Sequence, residues 1–418
     1  MYGLADCNNF YVSAERSQNP TLNGKPVLVL SNNDGCAISR SYEVKNLGVP
    51  MGAPAFEYAK LFKENSVEVF STNFPLYGDM SNRVMKILSE FTPEIEIYSV
   101  DEVFLRFKGF ENYDLYNYGI QMKEKVNKLT RIPISIGYAP TKALAKVANR
   151  IAKKYPKEWN GVYVIDSEEK RLKALKWLKI GDVWGIGRQY EKKLQSMGIL
   201  NALQFTQQSD YFVQKEMSIT GLRLKRELEG KEYLELEEKK RKKNIATTRS
   251  FDKNFTEYSQ LEERVSTFAT RCAEKLRKEK SYCSEVIVFI HTNYFREDQP
   301  QYSKSIKIKL PQPSNSDITI AKAAIKALTI IFKKGYYYKK AGVIVDGISP
   351  EPYRQYNLFD NEDERHGKLM KVVDYLNKSL PNPVVKLGSQ DFGKREKMKQ
   401  EKLSLRSTTK WTELLEIE

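Results

Sequence analysis

The stretch YSVDEVF, residues 98–104, sets two adjacent carboxylates inside an apolar run that extends from residue 95 to residue 107. If residues 95–100 and 103–107 form the strands of a hairpin, Asp101 and Glu102 occupy its tip and both side chains can project the same way. A solvated turn is the ordinary interpretation of such a pair. The apolar neighbours favour a second interpretation, in which the two charges have a bound partner.

A third acid, Asp6, ends another short predicted strand at the N-terminus. Carboxylates that gather at strand ends, with no histidine near them in the sequence, make an all-oxygen site suited to Mg²⁺ or Mn²⁺. Two divalent ions about 3.5 to 4 Å apart in such a site form a phosphoryl-transfer centre. The sequence therefore predicts that Asp6, Asp101 and Glu102 hold metal.

Residues 141–154, TKALAKVANRIAKK, predict an amphipathic helix with Thr141 as its N-cap. Lys142, Lys146 and Lys153 lie opposite the apolar stripe. A solvated face is the ordinary interpretation. Beside a two-metal centre, a helix lined with lysines suits the binding of a triphosphate.

Residues 25–31, KPVLVLS, predict a buried strand that ends at the turn sequence NNDG, residues 32–35. Residues 38–47 predict a helix. Tyr42 and Lys45 are three residues apart, so they share one face of that helix.

The chain of 418 residues is long enough for roughly two to four domains. Its composition, with 41% hydrophobic and 29% charged residues, is that of a folded protein. It contains no run of about 18 apolar residues, and Asp6 interrupts the N-terminus where a signal peptide needs apolar residues. We therefore expect a cytoplasmic protein without a membrane partner.

The formal net charge of +16, from 69 Lys and Arg against 53 Asp and Glu, predicts a polyanionic partner, with nucleic acid the leading candidate. A basic protein without a specific polyanion is the alternative. The four cysteines, Cys7, Cys36, Cys272 and Cys283, show no CxxC spacing, which argues against a zinc site and a disulfide framework.

Several motifs follow one another along almost the whole chain in the order typical of one family. They are NNFY after Asp6, GKPVLVLSNNDG at 24–35, YSVDEVF at 98–104, DVWGIGR at 182–188, QYNLF at 355–359 and SLRSTTKWTELL at 404–415. With them the sequence resembles the Y-family translesion DNA polymerases, most closely the UmuC type, the catalytic subunit of bacterial DNA polymerase V.

The resemblance implies roles for individual residues around the acids. Asp6, Asp101 and Glu102, with the main-chain carbonyl of Cys7, would hold two Mg²⁺ ions, for which Mn²⁺ is a possible substitute. Tyr11 matches the steric gate that excludes the ribose 2′-hydroxyl. The nucleotide-binding set implied by the resemblance is Asn9, Phe10, Tyr11, Tyr42, Lys45 and Lys153. Many relatives carry arginine at the position of Lys45, so a bidentate contact is replaced by a point charge.

The second half carries the features expected to bind DNA. The sequence DVWGIGRQYEKKLQSMGI resembles a helix-hairpin-helix in which Gly185, Gly187 and Arg188 approach a phosphate, although a plain turn between helices fits the glycines equally well. A βαββαβ series follows, with strands near 246–251, 284–291, 303–310 and 341–347 and helices near 261–276 and 318–332. Lys307 and Lys309 share the polar face of the third strand. The resemblance adds Arg249 to the DNA-binding residues.

The fold class implied is α+β: a multidomain right-hand polymerase with a ferredoxin-like palm, small fingers, a helical thumb with the helix-hairpin-helix and a βαββαβ little finger. Palm and fingers are expected at 1–170, with the fingers near 20–75, and the thumb at 171–230. A basic linker at 231–244 leads to the little finger at 245–349. The tail at 350–418 is expected to be partly unfolded and to carry the clamp-binding residues Gln355, Leu358 and Phe359, with Tyr356 where relatives usually have leucine.

The function implied is error-prone translesion synthesis on primer-template DNA with deoxynucleoside triphosphates, in DNA repair and the SOS response. The implied partners are the sliding clamp, a UmuD-like dimer and a RecA filament, and the implied location is the bacterial nucleoid. Two alternatives stay open: a DinB-type polymerase that works as a single chain, and a catalytically silent DNA- and clamp-binding factor. A nucleotide cyclase shares a related palm and metal pair, but it would not need a helix-hairpin-helix and a second basic domain.

Overall fold

The computed structural model describes residues 1–238, 241–353, 363, 365–380, 384–390 and 398–414. The chain divides into two units, the first made of residues 1–239 and 399–418 and the second of residues 240–398. Among the described residues, the helices are all too short or too polar to cross a membrane.

The first unit combines short strands with helices that cover them. Its strands are β1 Tyr2–Cys7, β2 Val27–Leu30, β3 Ala37–Arg40, β4 Glu68–Phe70, β5 Ile95–Ile97, β6 Glu102–Arg106, β7 Ile134–Ala139 and β8 Val162–Val164. Its helices are α1 Phe10–Gln18, α2 Tyr42–Asn46, α3 Ala59–Glu64, α4 Phe74–Leu88, α5 Leu115–Thr130, α6 Lys142–Lys154, α7 Pro156–Trp159, α8 Glu168–Trp177, α9 Arg188–Ser196, α10 Ala202–Thr206 and α11 Asp210–Leu228.

The main sheet has the strand order β5-β6-β1-β7-β8, with β1 at its centre and antiparallel to both neighbours. Helix α6 begins where predicted, since the Thr141 hydroxyl accepts a hydrogen bond from the Leu144 N–H. It lies directly on β7, because a Cβ at Gly137 would come within 2.0 Å of the Asn149 nitrogen. This close approach brings the lysines of α6 to the end of β1.

The hairpin predicted around YSVDEVF is confirmed, with shorter strands than expected. Strands β5 and β6 are antiparallel, with Ile97 opposite Val103. Residues 98–101 form the connection, so Asp101 lies in the loop and Glu102 is the first residue of β6.

The predicted helix over residues 38–47 is wrong in its first part. Residues Ala37–Arg40 form a strand that pairs with β2, and the helix starts only at Tyr42. The Ser41 hydroxyl caps it by accepting a hydrogen bond from the Val44 N–H. The strand gains cross-strand hydrogen bonds and burial that a longer helix would forgo. The NNDG turn is confirmed, with left-handed backbone at Asn33 and Asp34.

The second unit has the predicted βαββαβ order, followed by a short strand and a further helix. Its elements are β9 Ile245–Phe255, α12 Tyr258–Lys278, β10 Ser281–Thr292, β11 Ser303–Ser314, α13 Asp317–Ile331, β12 Tyr338–Asp346, β13 Ser349–Pro350 and α14 Arg365–Ser379. The strand order is β11-β10-β12-β9. Apolar side chains of α12 and α13 form one buried cluster with the sheet.

Two described stretches of the tail after residue 350, which was expected to be partly unfolded, are folded. Helix α14 lies on the second unit, where the Arg277 guanidinium donates two hydrogen bonds of 2.7 Å to Asp374 and Met370 is buried. Residues 399–414 belong to the first unit instead. The QYNLF motif lies outside the described residues.

Candidate active site

The strand pairing of the main sheet brings the three predicted acids close to one another. Asp6 on β1 is the direct partner of Glu102 on β6. The Cys7 N–H donates a hydrogen bond of 2.9 Å to the main-chain oxygen of Asp101. The Ser99 hydroxyl donates to the Asp101 carboxylate, which orders the loop at the hairpin tip. Asp6 therefore lies next to Asp101 and Glu102 in the fold, although it precedes Asp101 by 95 residues in the sequence.

The three lysines predicted on one side of α6 all face these strands, and each pairs with a carboxylate. Lys153 forms an ion pair with Asp6. Lys146 donates to both carboxylate oxygens of Glu102, at 2.9 and 3.0 Å. The solvated-face interpretation of the helix is therefore wrong.

Lys142 differs from the other two lysines of α6. It pairs with Glu96 at 2.7 Å, and the two side chains are only 4% and 10% exposed. A buried pair of this kind is satisfied within the protein. Lys142 is thus part of the scaffold and does not face the acids at the hairpin tip.

A cavity of about 270 Å³ opens beside the paired acids and lysines. The charged residues lining it are Asp6, Glu102, Lys146, Arg150, Lys153 and Asp182. Its other wall includes Val183 and Trp184 from the DVWGIGR motif. The cavity therefore joins two motifs that are about 80 residues apart in the sequence.

Burial dominates the electrostatics of Asp6. It raises the pKa of this carboxyl to about 6, against the opposing effect of the Lys153 ammonium, and the nearby charges of Glu102 and Asp101 add to the increase. Burial likewise raises the pKa of the Cys7 thiol well above its ordinary value. Cys7 is therefore a neutral thiol, and only its main-chain oxygen suits a hard cation.

The donor set fits a hard divalent cation in its chemistry, because the three acids supply only oxygen atoms. Their side chains are arranged differently from a preformed metal site. Within the described ranges, no group of three His, Cys, Asp or Glu side chains is arranged to hold a metal ion. Instead, Asp6 forms an ion pair with Lys153 and Glu102 forms one with Lys146. A metal ion that binds these carboxylates therefore has to displace the lysine ammonium groups.

Tyr11, the predicted steric gate, lies next to the acids at the start of α1. Its ring stacks on Tyr77 of α4 with a centroid distance of 4.4 Å and an interplanar angle of 15°, and Phe10 contacts it from the side at 5.6 Å. Burial and the negative charge of Asp101 raise the pKa of the Tyr11 hydroxyl. Tyr11 is thus held between an aromatic wall and the hairpin tip.

The other predicted nucleotide-binding residues meet at the start of α1 and α2. The Lys45 ammonium donates to the side-chain oxygen of Asn9 and lies 4.7 Å from the centre of the Tyr42 ring. Burial lowers the pKa of Lys45, and the positive charges of Arg40 and Lys153 lower it further. Positive charge is therefore concentrated here, near the end of β1.

An aromatic cage around Lys146 was missed by the sequence analysis. The ammonium lies 4.4 Å from the Tyr98 ring, 5.4 Å from Phe104 and 5.4 Å from Trp184. The Trp184 indole N–H donates a hydrogen bond of 3.1 Å to the Tyr98 hydroxyl. The signal in the sequence is the presence of these aromatic residues inside the two quoted motifs, beside the acids and glycines.

The predicted hairpin glycines precede a helix, as expected. Gly185 has a left-handed backbone with φ of 87°, and Gly187 is the N-cap of α9, whose first residue is Arg188. Such a conformation is readily adopted by glycine and leaves main-chain N–H groups at the start of α9.

The predicted DNA-binding residues of the second unit do not share one face of the sheet. Lys307 and Lys309 lie on the exposed side of β11, and Lys307 donates to Glu285 at 2.5 Å. Arg249 on β9 is the direct partner of Ala341, whose side chain points into the buried cluster below the helices. Directly opposite residues point to the same face, so Arg249 lies on the other face of the sheet from the two lysines.

Comparison with known proteins adds family membership to this geometry. Residues 5–150 match the model of the impB/mucB/samB family, residues 242–358 match the C-terminal domain of that family, and residues 367–417 match a domain of unknown function, DUF4113. Protein UmuC of Salmonella typhimurium strain LT2 is 39% identical over all of both chains. DNA polymerase IV of Bacillus anthracis is 26% identical over 95% of each chain.

Solved structures of similar fold are Y-family polymerases. A Y-family DNA polymerase chimera of Dbh and Dpo4 superposes with a TM-score of 0.67 at 22% identity, covering 84% of this chain and 99% of the chimera. An insertion ternary complex of Dbh DNA polymerase gives a TM-score of 0.56 at 23% identity with the same coverage. The full-length identity to UmuC and the matched models show that this chain belongs to the impB/mucB/samB family, as a UmuC-type member of the Y-family DNA polymerases.

Proposed function

We propose that this DNA-directed DNA polymerase carries out error-prone translesion synthesis, adding deoxynucleotides to a primer 3′-hydroxyl opposite damaged template bases. The observation that carries the proposal is the pairing of Asp6 with Lys153 and of Glu102 with Lys146 around one cavity. Such a site contains both the carboxylates that a divalent cation needs and the ammonium groups that a triphosphate needs.

Asp6, Asp101 and Glu102, with the Cys7 carbonyl, would hold two Mg²⁺ ions, and Mn²⁺ would be accepted by the same oxygens. When bound, the ions would lower the pKa of the primer 3′-hydroxyl and would stabilise the leaving pyrophosphate. Lys153, released from Asp6, would then pair with a phosphate oxygen. The ammonium thus keeps a negative partner in both states.

The remaining residues would orient the incoming nucleotide. Tyr11, packed flat on Tyr77, would contact the sugar on the side of its 2′ position and exclude a hydroxyl there. Tyr42 and Lys45, with Asn9 as the hydrogen-bond partner of Lys45, would bind the triphosphate. Phe10 would support Tyr11 from the side.

Primer-template DNA would contact both units. Main-chain N–H groups at Gly185, Gly187 and Arg188 would donate to a phosphate at the start of α9, which begins directly after Gly187. Lys307 and Lys309 present charge on the exposed side of β11. We assign residues 1–170 to palm and fingers, with the fingers near 20–75, residues 171–230 to the thumb, 231–244 to a linker and 245–349 to the little finger.

The UmuC type implies partners beyond DNA. Gln355, Leu358 and Phe359 would bind the sliding clamp, and a UmuD-like dimer and a RecA filament would activate the enzyme during the SOS response at the nucleoid. Identity of 39% to protein UmuC over the full chain, against 26% to DNA polymerase IV, supports this over the DinB type. Co-purification with a UmuD-like protein tests the choice, and full activity of the chain alone would favour the DinB type.

Primer extension tests the proposed activity. We expect Mg²⁺-dependent extension on undamaged and abasic templates, lost in Asp101→Asn and on chelation of the metal. Asp166→Asn is the matched control, because Asp166 is exposed and pairs with Lys170 on the surface. If wild type fails to extend even with a UmuD-like partner, RecA and clamp, the chain is a silent DNA-binding factor.

A further inference from the structure

Residues 399–414, which we call the tail segment, lie against the residues that lead from β4 into α4. The Ser71 N–H donates to the Lys402 carbonyl at 2.9 Å, and the Lys402 N–H donates to the Ser71 hydroxyl at 3.0 Å. The Asn73 side-chain amide donates to the Ser404 hydroxyl at 2.9 Å. Ser71, Thr72 and Asn73 are at most 1% exposed. A run of three polar residues is buried here with the tail segment as its hydrogen-bond partner.

Further contacts fix the tail segment at both sides of this run. The Lys399 N–H donates to the Asn33 side chain at 3.2 Å, and the Glu401 N–H donates to Asp34 at 3.0 Å. The Ser407 hydroxyl donates to Gln18 of α1 at 3.0 Å. The NNDG turn, used above as a mark of the UmuC type, is therefore in direct contact with the residues just before the closing segment at 404–415.

From Ser404 a chain of contacts leads to the predicted steric gate. One carboxylate oxygen of Glu15 accepts a hydrogen bond of 3.0 Å from the Ser404 hydroxyl and one of 2.6 Å from the Tyr77 hydroxyl. Glu15 and Tyr77 are 2% and 1% exposed. The Tyr77 ring is the surface on which Tyr11 stacks. The tail segment is thus three contacts away from Tyr11.

Asn73 gives the tail segment a second route to the same ring. Its side-chain oxygen accepts from the Leu76 N–H and so caps α4, the helix that carries Tyr77. Its amide nitrogen donates to Ser404 and to the Leu405 carbonyl. Docking of the tail segment therefore orients Asn73, the N-cap residue of α4.

We propose that the tail segment is a positioning element for the nucleotide site, and that Ser404, through Glu15 and Tyr77, holds the Tyr11 ring where it excludes ribonucleotides. The proposal rests on the proposed polymerase function. A buried carboxylate that loses a donor takes up water or rearranges. Either response loosens Tyr77 and, with it, the surface that supports Tyr11. The proposal gives a role to the last part of the DUF4113 region.

Single-nucleotide incorporation by the full-length chain on an undamaged template tests the proposal. Ser404→Ala is expected to raise the ratio of kcat/KM for a ribonucleotide to that for the matching deoxynucleotide by about tenfold, which corresponds to about 1.4 kcal/mol of lost discrimination. Ser404→Thr keeps the hydroxyl and is expected to restore the ratio. Lys410→Ala, at an exposed lysine that pairs with Glu413 within the tail segment, is the matched control and is expected to leave the ratio unchanged.

An unchanged ratio in Ser404→Ala, when Tyr11→Ala raises it, overturns the proposal. An equal fall of both kcat/KM values also overturns it, since that is the result of a merely structural contact. A wild type that does not extend primers overturns the proposed function instead. In that case, amide hydrogen exchange of the DNA-free protein still tests whether Ser404 positions residues 71–77. Faster exchange of these residues in Ser404→Ala supports this role, and unchanged exchange contradicts it.

Discussion

Asp6 has competing electrostatic neighbours. It is largely buried at the end of β1, pairs with Lys153, and lies near the charges of Glu102 and Asp101. The net result is a pKa of about 6, above the ordinary value of 3.8. At neutral pH, the folded metal-free protein therefore holds a charge that the fold opposes.

This raised pKa predicts how Asp6→Asn changes stability with pH. The folded state binds the proton more tightly than the unfolded state, so wild-type stability falls as pH rises from about 4 to 6 and stays low above 6. Without metal, Asp6→Asn is expected to increase the free energy of unfolding by about 1–3 kcal/mol at pH 7.5, and by much less at pH 4. Urea unfolding in a chelator, measured at both pH values, checks this.

The matched control for that prediction is Asp166→Asn, since Asp166 lies on the surface in an ion pair with Lys170. Its substitution is expected to change stability by less than about 0.5 kcal/mol at either pH. A loss of stability in Asp6→Asn at pH 7.5 would mean that the Lys153 pair outweighs burial.

At the scale of elements, the contact of α6 with β7 places the lysines over the acids. It depends on Gly137, where a Cβ would meet the Asn149 nitrogen at 2.0 Å and the Ala145 carbonyl at 2.5 Å. Both atoms are helix main chain and cannot rotate away. A side chain at position 137 thus forces the helix off the sheet.

Gly137→Ala is accordingly expected to destabilise the first unit by about 3 kcal/mol or more, since overpacking against main chain displaces whole elements. Gly78→Ala in α4 is the control. Among the described residues, no atom beyond its chain neighbours and its own helix backbone lies within 4 Å of its Cβ position, and alanine at a helical glycine stabilises by about 0.5–1 kcal/mol. Urea unfolding followed by circular dichroism compares the two variants. Equal stability of Gly137→Ala and wild type would contradict the close packing.

At the scale of the whole molecule, the basic side chains behind the net charge of +16 differ in whether an acid of the same chain already pairs with them. Lys307 on β11 pairs with Glu285, and burial against Glu96 removes Lys142 from the surface. Lys309, on the same exposed side as Lys307, has no carboxylate partner within the part of the chain that the structure describes. Equal charges therefore contribute unequally to a polyanion site.

The salt dependence of DNA binding separates these two lysines. Each phosphate contact contributes about 0.9 to the slope of log K against log salt on duplex DNA. Lys309→Ala is expected to reduce the slope by about one, and Lys307→Ala by less, because Lys307 already has an anionic partner. The slopes are measured by fluorescence anisotropy of labelled primer-template at salt concentrations from about 50 to about 200 mM.

The control for this measurement is Lys278→Ala on α12, where the exposed ammonium pairs with Glu274. Its slope is expected to equal that of wild type. Slopes that fall equally in all three variants would show a diffuse electrostatic contact, without a site on β11.

The sequence by itself determined the local elements and the family. The hairpin around YSVDEVF, the cap at Thr141, the NNDG turn and the βαββαβ order were each predicted from local residue patterns, and the structure confirms each of them. The patterns work because hydrogen bonding and burial within one element involve residues only a few positions apart. The prediction of a helix over residues 38–47 was wrong in its first part, because these residues form a strand through pairing with β2, which is a contact to another element.

Only the tertiary structure decided which charges meet. Lys146 donates a hydrogen bond to Glu102, 44 residues away in the sequence, and Ser404 donates one to Glu15, 389 residues away. The face of Arg249 and the docking of the tail segment belong to the same class. Such contacts depend on the order of the strands within a sheet and on which distant segments of the chain pack together. Neither feature produces a periodic pattern of residues in the sequence. The acids could therefore be predicted from their motifs, while their lysine partners, the aromatic cage and the tail contacts required the fold.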